Sequence, residues 1–135
     1  MPKKIGVGAA LLAEFVAQGN NNKITIVNAY SGDVTLSELP ATVAFGIYLE
    51  LNFSSDAPDS LSFEVLLGGE KIVSGRAAQP IGNSGPATVL IPYFPCTVTR
   101  DSFLELYVYA DGYAKTRALR KSIAKGAIPA GSTSV

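Results

Sequence analysis

The chain has 135 residues, with 11 basic and 11 acidic side chains, no histidine and one cysteine. That length fits one domain with a substantial core. Zero net charge gives no basis for a global polyanion-binding role. Without histidine, no Ser or Cys can be activated by an imidazole. A single cysteine builds neither an intrachain disulfide nor a thiolate metal site. Apolar residues make up 47% and charged residues 16%, so the chain is not of the disordered kind. The low charged share has two readings. Either a sandwich carries Ser, Thr and Asn outside, or partners cover part of the surface.

Lys3 and Lys4 precede the apolar run Ile5–Ala13, as in an export signal. Glu14 interrupts the run and no small-x-small cleavage site follows, so the segment is read as mature sequence. No apolar stretch reaches the roughly 20 residues of a membrane-spanning helix, and a soluble, non-membrane chain is expected. Ala9–Ala17 has high helix propensity, with Gly19 as a potential C-cap. Gly6 and Gly8 disfavour a helix start, and Gly19-Asn20-Asn21-Asn22 leads straight into an apolar segment like a hairpin loop. The segment is therefore expected to be a strand. Ile24, Ile26 and Tyr30 mark the next strand, and Ser31–Asp33 a turn.

The strongest signal is Val43, Phe45, Ile47, Leu49, Leu51 and Phe53, six large apolar residues at alternate positions. Period 2 over this length predicts a long half-buried strand with a firmly fixed register. A turn at Ser54–Ser60 precedes Leu61, Phe63, Val65 and Leu67, which alternate likewise. Gly68-Gly69 suits a tight hairpin into Glu70–Val73. A turn over Pro80–Pro86 leads to a short strand, Thr88–Ile91, bounded by Pro92 and Pro95. Pro95–Ser102 reads as a turn. Phe103, Glu105, Tyr107 and Tyr109 then alternate with Leu104, Leu106 and Val108. Asp111-Gly112 is a second hairpin signal, into Tyr113–Ser122. Ala, Leu, Arg and Lys over Ala114–Lys125 also favour helix, but the two-residue turn favours strand. Residues 1–125 are expected to form one all-β domain, an antiparallel two-sheet β-sandwich of 7–8 strands, immunoglobulin-like or C2/jelly-roll-like. Residues 126–135 are expected to be a flexible or partner-bound tail.

Chemistry is sparse. Glu50, Glu64 and Glu105 fall on polar strand positions and read as solvent-facing carboxylates. Asp33, Asp56, Asp59, Asp101 and Asp111 lack calcium-loop spacing and read as turn residues. Gly68-Gly69 joins two strands rather than opening a helix, so it is no phosphate cradle. Asn52-Phe53-Ser54 matches a glycosylation acceptor by chance. Cys96 reads as a buried structural thiol. No catalytic, cofactor-binding or metal-binding residue is expected, and no enzyme.

Charge is segregated. All acidic residues lie at or before Asp111, and Lys115, Arg117, Arg120, Lys121 and Lys125 follow it. With Tyr107, Tyr109 and Tyr113 they form the candidate interaction surface. Lys115 and Arg117 are expected on one strand face with Tyr113. The strand is either an edge guarded by its charges or a surface for nucleic acid or an acidic protein. Copies of the chain are also expected to associate through their own opposite charges.

Three segments carry a family resemblance: Leu12-Ala13-Glu14-Phe15-Val16-Ala17, then Asn22-Lys23-Ile24-Thr25-Ile26-Val27-Asn28-Ala29-Tyr30, then Leu39-Pro40-Ala41. With Asp111-Gly112 they resemble a group of small bacterial and phage domains of unknown function, over most of residues 10–123. Asn28 stands where that group often has glycine. The resemblance implies a β-sandwich of bacterial or phage origin and carries over no catalytic residue. The expected role is a non-catalytic structural or interaction domain of a bacterial or phage assembly, in the cytoplasm or the virion, with other protein subunits or its own copies as partners. The alternative is a ligand-binding module for sugar, peptide or nucleic acid, using the tyrosines and the basic C-terminal strand.

Overall fold

The computed structural model describes residues 3–21, 23–53, 58–77 and 86–126. Among them are nine strands: β1 (Ile5–Gln18), β2 (Ile24–Ala29), β3 (Val34–Leu36), β4 (Ala41–Phe53), β5 (Leu61–Leu67), β6 (Glu70–Ala77), β7 (Pro86–Val98), β8 (Ser102–Ala110) and β9 (Tyr113–Lys125). One sheet has the order β2-β1-β4-β7 and the other β3-β9-β8-β5-β6. Apolar side chains from both sheets merge into one core. This is the all-β, two-sheet sandwich architecture that the alternating patterns predict, with nine strands rather than seven or eight.

The core follows from period 2. On β4, Phe45, Ile47, Leu49 and Leu51 are fully buried. Leu104, Leu106 and Val108 on β8 meet them from the other sheet. Burying each such side chain is worth about 1.5–3 kcal/mol relative to exposure. Gly68 and Gly69 (φ 61° and 85°) close the β5–β6 hairpin, and Gly112 (φ 82°) the β8–β9 hairpin. These are backbone conformations that side chains with a Cβ disfavour.

Both segments of mixed propensity are strands. β1 pairs with β4 along one side and with β2 along the other. β9 pairs with β8 over most of its length. Long ladders outweigh local helix propensity here.

Three expectations are corrected. The short strand Thr88–Ile91 is the middle of β7, which continues through Pro92 and Pro95, so Pro95–Val98 is strand and not turn. β7 lies at a sheet edge, where a missing N–H costs no ladder bond. An extra β7 residue between the Phe45–Phe94 and Ile47–Ile91 pairs absorbs the irregularity. Next, β3 is an additional three-residue strand, parallel to β9, with Val34 opposite Ile123. β9 is therefore not a bare edge, since β3 covers its end. Residues 54–57 and 80–85 of the two expected turns, and residues 127–135 of the expected tail, lie outside the described residues.

Bulges recur on four strands. One extra residue interrupts β1 near Gly8, β6 at Ile72, β7 near Pro92, and β9 twice. The start of the chain also ties the sheets together. Lys3 N–H donates to Gly112 O at 2.9 Å and Ala114 N–H donates to Lys3 O at 2.7 Å, just before β1 enters the other sheet.

Candidate interaction surface

Strand pairing decides which of the expected surface residues meet. On the outer face of the five-stranded sheet, Glu64 (β5) lies opposite Tyr107 (β8), which lies opposite Arg117 (β9). Glu105 (β8) lies opposite Arg120 (β9). Lys115 Nζ pairs with Glu64 Oε1 and stands over the Tyr107 and Tyr109 rings, 5.3 and 5.5 Å from their centroids. Arg117 and Arg120 reach Glu105 Oε2 at 3.3 and 3.8 Å. The Arg120 guanidinium lies 3.7 Å from the Phe103 ring centre, a cation–π contact. Tyr107, Tyr109, Lys115, Arg117 and Arg120 thus share one face.

The other three expected members do not join them. Tyr113 is buried and packs edge-to-face on Phe53 at 5.3 Å. It does not share a face with Lys115 and Arg117. The reason is the register shift between the Val108–Thr116 and Ala110–Tyr113 pairs, which inserts one extra β9 residue and reverses the alternation. Lys121 is half-buried opposite Leu104. Lys125 lies at the far end beside β3, where its N–H donates to Asp101 Oδ1 at 3.0 Å.

The carboxylates also need correcting. Glu64 and Glu105 side chains are only 13% and 19% exposed, against 45–51% for their cationic partners. They lie beneath the cations rather than in open solvent. Bonding to Glu64 pushes the Lys115 pKa up. Glu50 is half-buried on the other sheet and accepts a 2.5 Å hydrogen bond from Tyr48 Oη, which raises the Tyr48 pKa. The basic strand therefore spends much of its charge inside its own chain. Beside it, Ser62, Glu64, Arg76, Tyr109, Asp111 and Lys115 line an open depression of about 800 Å³.

A second surface is apolar, and sequence reading missed it. Leu11 and Phe15 of β1 and Val27 of β2 remain exposed on the outer face of the four-stranded sheet, while Val7 and Ile26, also exposed, pair with buried Leu51 and Val16 on the other face. Phe15 lies opposite Val27 across the strand pair. Phe15, Val27, Tyr30, Val43, Ala44 and Tyr93 line a groove of about 420 Å³ that also touches Glu14. A signal was present. β1 is apolar at successive positions rather than alternate ones, which is how a strand covered on both faces reads.

Among the described residues, no three His, Cys, Asp or Glu side chains gather as metal ligands would. Cys96 is a buried free thiol whose pKa burial pushes up, the opposite of an activated nucleophile. No protein-family model matches the chain, and no curated protein is significantly similar to it.

Proposed function

We propose that this chain is a non-catalytic interaction domain, a structural component of a protein assembly of bacterial or phage origin. Within the sandwich class it fits an immunoglobulin-like or C2/jelly-roll-like arrangement. The observation that carries the reading is the apolar surface of β1 and β2. Leu11, Phe15 and Val27, exposed on one face of two neighbouring strands beside a groove that exposed Tyr93 also lines, are what a protein partner covers. The basic face supports the nucleic-acid reading less. Lys115, Arg117 and Arg120 are engaged by Glu64 and Glu105, leaving little free positive charge for phosphates.

A photo-crosslinking residue at Phe15, compared with one at Tyr107 on the opposite outer face, tests the reading in cells that produce the chain. Discrete protein adducts are expected at Phe15, well above those at Tyr107. Equal or absent protein adducts at Phe15 overturn it.

A further inference from the structure

The sandwich has four outer strands, β2 and β7 in one sheet and β3 and β6 in the other. An unpaired strand edge invites another strand, and proteins guard such edges with charges, prolines, bulges or brevity. β7 carries Pro92, Pro95 and a bulge. β3 has three residues. β6 carries Glu70, Lys71 and Arg76 and a bulge at Ile72. β2 (Ile-Thr-Ile-Val-Asn-Ala) has no charge, no proline and no extra residue. Its one irregularity is Asn28, with φ 51°, near its end.

The direction of its backbone groups follows from one bond. Gly19 N–H donates to Lys23 O at 2.7 Å, so Lys23 and, by alternation, Thr25 and Val27 bond toward β1; the positive φ of Asn28 resets the alternation, and beyond it Tyr30 N–H donates to Leu12 O at 2.8 Å. Ile24 and Ile26 therefore turn their N–H and C=O groups to the open side. Ile26 and Val27 stay exposed beside them.

We infer that β2 pairs antiparallel with β2 of a second copy, joining two four-stranded sheets into one. The inference rests on the interaction-domain reading and names the partner. The strand fits itself. A two-fold axis through Thr25, perpendicular to the sheet, sets Thr25 against its own copy and Ile24 against Ile26 of the other copy. This register forms the hydrogen bonds of two Ile24–Ile26 pairs, all before the turn at Asn28. It brings no like charges together, because the strand has none, and it keeps apolar Ile24 and Ile26 on one continuous face.

Thr25 falls in a non-hydrogen-bonded pair on the axis, where Cα atoms lie about 4.5 Å apart, within reach of a disulfide. In a Cys96→Ala background, Thr25→Cys is expected to oxidise to a linked dimer much faster than Ser74→Cys on β6. Light scattering of the wild-type chain is expected to show a dimer, and Val27→Lys to weaken association roughly tenfold or more. Equal oxidation rates at positions 25 and 74 overturn the inference. So does a monomeric wild-type chain at high concentration, or a dimer untouched by Val27→Lys. Adducts to a different protein at Phe15, with a monomeric purified chain, would remove the β2 pairing and leave the interaction-domain reading standing.

Discussion

At the scale of single residues, Gly46 is the most constrained position in the four-stranded sheet. It is buried where β1 leaves β4 and β7 bulges beside it. A Cβ there would sit 2.6 Å from Pro92 O and 2.8 Å from Val16 N, both backbone atoms that cannot swing aside. Gly46→Ala is expected to cost at least about 2 kcal/mol, as overpacking of a tight interior does. Urea denaturation measures it, and a midpoint equal to wild type would refute the account. The glycine was plain in the sequence, but its role was not. Period 2 placed Gly46 on the outer face of a strand, where nothing local announces that two neighbouring strands converge.

At the scale of elements, β4 and β9 show what is legible and what is not. β4 was read correctly because its six apolar residues keep strict alternation, and alternation is all that one regular strand requires. β9 was recognised as a strand, yet its faces were misassigned. Two extra residues each reverse the alternation, so Tyr113 turns inward while Lys115 and Arg117 turn outward, and Leu119 turns inward again. A bulge depends on the partner strand, which a single segment does not reveal. Ala118 is the unpaired residue between the Leu106–Leu119 and Tyr107–Arg117 pairs. Deleting it forces either Arg117 inward or Leu119 outward. The deletion is expected to destabilise the fold by about 3 kcal/mol or more, because it buries a charge or empties part of the core. Thermal unfolding checks it, and a loss below about 1 kcal/mol would show that β9 slides without cost. β7 was misread for a related reason. Proline excludes a central strand, and only the sheet order shows that this strand is an edge.

At the scale of the whole molecule, its resolved pKa shifts all point one way. Burial raises Cys96 from 9.0 and Tyr30 from 10.0. The Glu50 bond raises Tyr48 from 10.0, and the Glu64 bond raises Lys115 from 10.5. In each case the folded chain holds its proton longer than the unfolded chain. Stability from these groups is complete below the unfolded values and is lost as pH rises through the folded ones. Lys115 adds little because its side chain is half exposed and screened. The melting temperature is expected to fall progressively from about pH 9 to about pH 11. Cys96→Ala is expected to remove the earliest part of that fall. A melting temperature that holds steady or climbs over this range would contradict the assignment.

The Lys3 bridge to Tyr113 has a consequence for how the molecule is made. Residues 110 positions apart share backbone hydrogen bonds across the β8–β9 turn, and β9 is itself the strand that receives β3. During synthesis the segment at Lys3 has no partner at that bridge until Gly112–Ala114 have emerged. β1 also waits for β4 before its long ladder can form. Folding is thus dominated by contacts distant in sequence, a topology that slows the search. Nascent chains stopped before Tyr113 would lack β9, leaving β3 without its partner and the sheet over β1 and β4 incomplete, and so would depend on chaperones for as long as they stay tethered.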